Sequence, residues 1–210
     1  MSLASHERAD LADLFGEVGP DRPTLCEGWQ TRDLAAHLVL REGRPDASLG
    51  IAVKPLAGWT DRVQRHLAHG DWTDLVQRFR SGPPLLSFFR LPGIDDSWNG
   101  FEFLVHHEDV RRAQPDWEPR QLPAKAVDSV WGRLVQGGGK VFFRHAGTGV
   151  TLRRPDGREA VVRGGEPMVT LVGDPVELVM YAFGRTDHAH VELEGDPDAI
   201  TRLGGAGLGF

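Results

Sequence analysis

One cysteine, three lysines and no long apolar run set the first limits on this chain of 210 residues. Cys26 stands alone, so neither an internal disulfide framework nor a cysteine-rich metal cluster can form within the chain. Lys54, Lys125 and Lys140 are the only lysines among 24 basic residues. The arginine bias fits a G+C-rich coding sequence and carries no mechanism. A net charge of −6 leaves no basic stripe for a nucleic-acid partner. No apolar run approaches the ~20 residues that a membrane helix needs. The first ten residues are charged and lack an apolar centre, so a secretory leader is not expected there. A cytoplasmic location and no membrane partner are the resulting expectations.

What is present is ordinary for a globular protein: 40% hydrophobic and 26% charged residues. The length suits one large domain or two small ones. The first ~115 residues follow a helical period. Leu3, Leu11, Leu14, Phe15 and Val18 mark a first helix that ends near Gly19-Pro20. Leu25-Cys26-Glu27-Gly28-Trp29 reads as a loop. Thr31 as N-cap, with Asp33 in the first turn, opens a helix from Arg32 to about Glu42. Leu34, Ala35, Leu38 and Val39 form its apolar stripe, with His37 at the margin. A third helix falls between Trp59 and Phe89, interrupted by Gly70-Asp71 and Gly82-Pro83-Pro84. A last one starts at Ser97 or Asn99, runs through Phe101, Leu104, Val105 and Val110, and is spent before Pro115. Four main helices joined by loops describe a bundle, a framework that places side chains of facing helices around one point.

Gln114 to Pro123 reads as a linker, and the period then changes. Val141-Phe142-Phe143, Val150-Thr151-Leu152 and Ala160-Val161-Val162 read as short strands, with a turn at Pro155-Asp156-Gly157 between the last two. Strands at Met168–Val172 and Val191–Leu193 each lead into Gly-Asp-Pro, which places Asp at N-cap and Pro at N1 of a following helix. The expected class is therefore α+β: a helical bundle over residues 1–115 and a small α+β domain over 123–210.

The chemistry-bearing stretch is Glu102-Phe103-Leu104-Val105-His106. A Glu and a His four residues apart on a helix lie about 40° apart around its axis, so both can face one ion. His37, from a second helix, would complete three ligands and leave one position open, the pattern of a catalytic divalent-metal site. Asp109 shares this face, whereas His107 points elsewhere. Glu-x-x-x-His is also a frequent coincidence, and on spacing alone a surface hydrogen-bonded pair is the simpler reading. Asp109 reads equally as an orienting partner of His106 or as a surface carboxylate.

Other motifs fail on inspection. His107-Glu108 resembles the start of a zinc-protease helix, but the second His would fall at Arg111. Gly137-Gly138-Gly139-Lys140 lacks the earlier Gly and the following Ser or Thr of a phosphate loop, where Leu134 and Val141 stand; it reads as a turn before a strand. His66 and His69 read as a solvated face. Cys26 has no local His or CxxC partner and reads as a packed loop thiol.

The residues from Leu25 to Leu38 (LCEGWQTRDLAAHL) resemble the loop and second helix of the mycothiol-dependent maleylpyruvate isomerase N-terminal domain, within the DinB/YfiT-like group of metal-binding four-helix bundles. Phe101 to Val110 resembles that family's fourth-helix motif. Gly173-Asp174-Pro175-Val176-Glu177-Leu178 with Phe183-Gly184-Arg185 is similar to its C-terminal domain. The resemblance spans nearly the whole chain and is nearest to an actinobacterial subgroup known only as metal-binding proteins. It implies a DinB-like bundle followed by a small α+β domain. By it, His37, Glu102 and His106 are metal ligands, with zinc the usual ion and nickel or iron(II) the alternatives. Arg185 matches an arginine that the C-terminal domain lends to the active site.

The resemblance implies an enzyme using a low-molecular-weight thiol, such as mycothiol, on a small-molecule electrophile, by S-transfer or isomerisation. A metal-bound hydroxide performing hydrolysis at the same centre is a second reading. A non-catalytic protein that binds a small ligand is a third.

Overall fold

The computed structural model describes residues 2–84 and 94–208. The chain divides into two compact units, Met1–Glu118 and Pro119–Phe210.

The first unit is helical: α1 (Leu3–Val18), α2 (Thr31–Gly43), α3 (Pro45–Ala52), α4 (Ala57–Ala68), α5 (Trp72–Ser81) and α6 (Ile94–Arg112). Its core gathers Leu11, Ala12 and Phe15 from α1, Leu34, Ala35 and Leu38 from α2, Leu75, Val76 and Phe79 from α5, and Phe103 and Val110 from α6. Phe79 is the hub, meeting Phe15 and Phe103 edge-on at ring separations of 5.9 and 5.5 Å.

Several boundaries differ from the sequence expectation. The α2 N-cap is Gln30, whose backbone N–H donates to Asp33 Oδ2 at 3.0 Å. Thr31 lies inside the helix, fully buried, and its hydroxyl donates to Gly19 O at 2.6 Å. Tertiary burial of that hydroxyl overrides its intrinsic capping preference. Among the described residues, the stretch of the expected third helix holds two helices, α4 and α5, and α3 precedes it. α4 ends at the Gly70-Asp71 interruption, and Asp71 caps α5 by accepting from Asp74 N at 2.9 Å. The end of that expected helix, at Phe89, and the side chain of Trp98 lie outside the described residues.

α6 is held by charge as well as by apolar contact. His107 Nδ1 lies 2.8 Å from Glu7 Oε2, and Glu108 accepts from Arg112 Nε at 2.7 Å, all four residues being buried. Arg8 grips Glu42 with two bonds of 2.6 Å, and its guanidinium stacks 4.5 Å from the Phe103 ring. Buried polar groups stay in a core only when paired in this way.

The second unit contains α7 (Ala124–Arg133), α8 (Gly139–Phe142), β1 (Gly149–Arg153), β2 (Glu159–Arg163), β3 (Met168–Val172), α9 (Pro175–Ala182), β4 (Glu192–Gly195) and α10 (Pro197–Gly204). The sheet order is β2-β1-β3-β4, with β1 parallel to β3 and the outer pairs antiparallel. Val150 and Leu152 on β1 and Val169 and Leu171 on β3 are buried in strict alternation. Gly157, at φ +86°, makes the β1–β2 turn. α9 is buried along its whole length. Pro175 and Pro197 open their helices as expected, and Asp196 caps α10 through Asp198 N at 2.9 Å.

Val141-Phe142-Phe143 is not a strand. Gly139 begins a short helix packed so closely on β2 that a Cβ there would lie 2.7 Å from Val162 Cγ1. Phe142 and Phe143 are consecutive and both buried, whereas a strand would send them to opposite faces. A short apolar run does not distinguish the two states.

Candidate metal centre

Two helices and one turn build the centre. His37 comes from α2, and Glu102, His106 and Asp109 come from α6. Cys26 and Trp29 come from the turn between α1 and α2. In that turn Trp29 N donates to Cys26 O at 3.0 Å, and Gly28 takes φ +75°. The third position of such a turn requires a left-handed backbone that glycine adopts without strain. Thr24 braces it, its hydroxyl donating to Trp29 O at 2.9 Å and accepting from Cys26 N at 3.2 Å. Leu25 N donates to Asp109 O at 3.0 Å, tying the turn to α6.

The sequence places Glu102 and His106 on one helical face, and the fold brings His37 to them. His37 Nε2 lies 3.6 Å from Glu102 Oε1, and His106 Nε2 lies 3.3 Å from the same oxygen. The two imidazole rings meet edge-on at 5.7 Å. Both separations exceed the usual 2.7–3.2 Å of an N–H···O bond. They match the edges of a coordination tetrahedron, in which donors ~2.0–2.2 Å from a cation sit about 3.4 Å apart. Two imidazole nitrogens and a carboxylate form a donor set suited to zinc or another divalent transition ion. The residues fit such an ion.

Beside it stands a tighter cluster. His106 Nδ1 is 2.9 Å from Asp109 Oδ2, and the Cys26 thiol donates to the same oxygen at 3.2 Å. These are hydrogen-bond lengths, so Asp109 acts as acceptor for both groups. An Nδ1–H donated to Asp109 leaves the His106 Nε2 lone pair facing Glu102. On the other side, the Trp29 ring lies 5.0 Å from that of His37.

In the metal-free protein the same contacts favour a protonated His106, so a cation must displace that proton from Nε2. Burial disfavours a charged His106, but Asp109, Cys26 and Glu102 outweigh it and hold its pKa well above the usual histidine value. Burial likewise opposes ionisation of Glu102, yet His106, His37 and Arg41 keep its carboxyl well below the ordinary range. His37 is pushed down, chiefly by burial.

Cys26 is a half-buried loop thiol packed on the core, as expected, and it also reaches His106 and Asp109. Its partners stand 80 and 83 positions away in the chain, so no local pattern reveals them. Asp109 is fully buried and is not a surface carboxylate. His107 faces away from the centre to Glu7, and His66 and His69 are exposed. Arg185 belongs to the second unit, just past Gly184, whose φ of +83° ends α9. Its backbone N donates to Met180 O at 3.0 Å and its Nη1 to Phe183 O at 2.7 Å.

No protein-family model matches the sequence, and no curated protein matches it. Among solved structures, mycothiol-dependent maleylpyruvate isomerase aligns over 91% of this chain and 90% of its own, with a TM-score of 0.59 and 15% identity. This chain has that isomerase's fold. A mutant of the same enzyme aligns with equal coverage and TM-score at 13% identity. The expected α+β class is borne out. No helix among the described residues is long and apolar enough to cross a membrane.

Proposed function

We propose that His37, Glu102 and His106 hold one divalent cation, zinc first, with nickel and iron(II) as alternatives, and that the protein is an enzyme activating a low-molecular-weight thiol of the mycothiol class. The observation that carries this reading is the pair of separations, 3.6 and 3.3 Å, from two imidazole nitrogens to one carboxylate oxygen. The isomerase fold supports it. In this proposal residues 1–115 form the metal-binding domain, residues 123–210 form a second domain, and the setting is cytoplasmic.

When bound, the cation supplies the positive charge that deprotonates a thiol, whose free pKa is ~8.5. Asp109 fixes the His106 tautomer, and Trp29 limits the tilt of His37. Arg185 is assigned to a carboxylate of the electrophile through a two-pronged pairing. The thiolate adds to an activated double bond, the resulting single bond rotates in the enolate adduct, and re-forming the double bond expels the same thiolate. Alternatively it displaces a leaving group in an S-transfer.

Metal analysis of protein purified without added metal should find one ion per chain, lost in His37→Ala, Glu102→Ala and His106→Ala while helical content persists. A model electrophile should then turn over only when mycothiol is present. Ester hydrolysis without thiol would favour a hydrolase at the same centre. Wild-type protein that binds no divalent ion would overturn the reading.

A further inference from the structure

Among the described residues, two groups of ligating side chains keep all their donor atoms within 4.8 Å of one another, and both contain His106. The first is His37, Glu102 and His106; the second is Cys26, His106 and Asp109. They use different nitrogens of the shared ring. His106 Nε2 faces Glu102 Oε1, an oxygen that Arg41 Nε also approaches at 3.5 Å, whereas Nδ1 faces Asp109 and Cys26. In the second group Cys26 Sγ lies 3.2 Å from Asp109 Oδ2 and 3.7 Å from His106 Nδ1, and that nitrogen lies 2.9 Å from Oδ2. A tetrahedral cation with one sulfur donor sets its ligating atoms about 3.3–3.6 Å apart. The three edges bracket that range, so movements of about half an ångström or less would seat an ion.

The donors suit a soft ion. A thiolate with an imidazole and a carboxylate selects zinc or cadmium over magnesium or calcium. Asp109 is fully buried on α6, whereas Cys26 is half-buried in the braced turn before α2 and partly open to solvent. We propose that Cys26 Sγ, His106 Nδ1 and Asp109 Oδ2 form a second site, for a thiophilic divalent cation, with His106 bridging the two sites when both are filled. The cation replaces two protons, one on the thiol and one on Nδ1, and both pass to solvent. Whichever ion arrives second meets a ring that already carries a cation. It binds more weakly, so both sites fill only when the cation is in excess. The second site does not depend on the three-ligand reading, because with Nε2 uncoordinated the ring binds through Nδ1 as an ordinary neutral imidazole.

The chain has one cysteine, so a thiolate-to-metal charge-transfer band can arise only from Cys26. The full chain, stripped of metal and kept in thiol-free buffer, is titrated with cadmium chloride. Equilibrium dialysis counts the ions bound, and ultraviolet difference spectra follow the sulfur-to-cadmium band. Wild type should take up two ions and show the band. Cys26→Ser should take up one ion and show none; Cys26→Ala replaces it if it does not fold. Glu102→Ala should take up one ion and keep the band. Asp109→Asn should raise the cadmium concentration at half-maximal band about tenfold or more. Saturating cadmium without a band would overturn the inference. So would a band that Asp109→Asn leaves unmoved, since the sulfur would then bind as a single thiol ligand. In wild type, one ion with the band would support this site and refute the three-ligand set, and one ion without it would do the reverse.

Discussion

Asp109, buried without solvent exposure, holds His106 Nδ1 at 2.9 Å. That single contact fixes which nitrogen of His106 faces Glu102. A lone Glu-x-x-x-His pair becomes a directed donor set because a third side chain has removed the freedom of the ring.

Asp109→Asn should weaken divalent-metal affinity by about 10- to 100-fold, the usual effect of losing a carboxylate behind a ligating histidine. Competition against a chelator measures it, and far-UV circular dichroism should be unchanged. Full retention of affinity would mean that the ring is fixed by packing alone.

His107→Ala should leave metal content intact, because this ring pairs with Glu7 and not with the centre. Stability should fall by about 3–5 kcal/mol, since the change removes a 2.8 Å partner of a buried carboxylate and leaves a space behind. Urea denaturation reads the loss. Loss of metal here would show that His107, and not its neighbour His106, is the ligand.

Arg8→Ala should destabilise the first unit by a similar ~3–5 kcal/mol, leaving Glu42 without its two 2.6 Å bonds. The double variant Arg8→Met with Glu42→Leu should recover much of that loss, because a paired charge and an apolar pair of similar volume are near equivalence. A double-mutant cycle by denaturant titration decides the point.

Acidity should act in opposite senses on metal retention and on the metal-free protein. The raised folded pKa of His106 stabilises the metal-free state fully below the unfolded value near 6.5, and this contribution is lost as pH rises through the folded value. The lowered pKa of Glu102 contributes above about 4.5 and is lost as pH falls through its folded value. Protons compete with the cation for His106, so metal retention should increase over the same alkaline range in which the metal-free protein weakens. Thermal melts with and without chelator across that range should diverge as pH rises; parallel curves would contradict the assignment.

Much of this site is legible along the chain, and the illegible part has a common cause. Glu102, His106 and Asp109 share a helix, so a 100° step places them together. His37 stands out through its helix and the loop before it, although nothing in its spacing from residue 102 indicates contact. Cys26, Trp29 and Arg41 carry no such signal, because each acquires its role from a neighbour on another element. The three apolar residues from Val141 to Phe143 satisfy helix and strand equally, and close packing at Gly139 decides between them.

Local chemistry sets the helical and strand periods, the turn at Gly28, the proline-led starts of α9 and α10, and the face shared by Glu102, His106 and Asp109. These follow from backbone sterics and nearby hydrogen bonding, which act over a few residues and are written in the order of side chains. Three further pairings emerge only on folding: His37 meets Glu102 across two helices, one carboxylate serves both His106 and Cys26, and Arg41 stands beside the same Glu102 oxygen. They depend on how buried side chains exclude water together, and that is a property of the packed core rather than of any single segment.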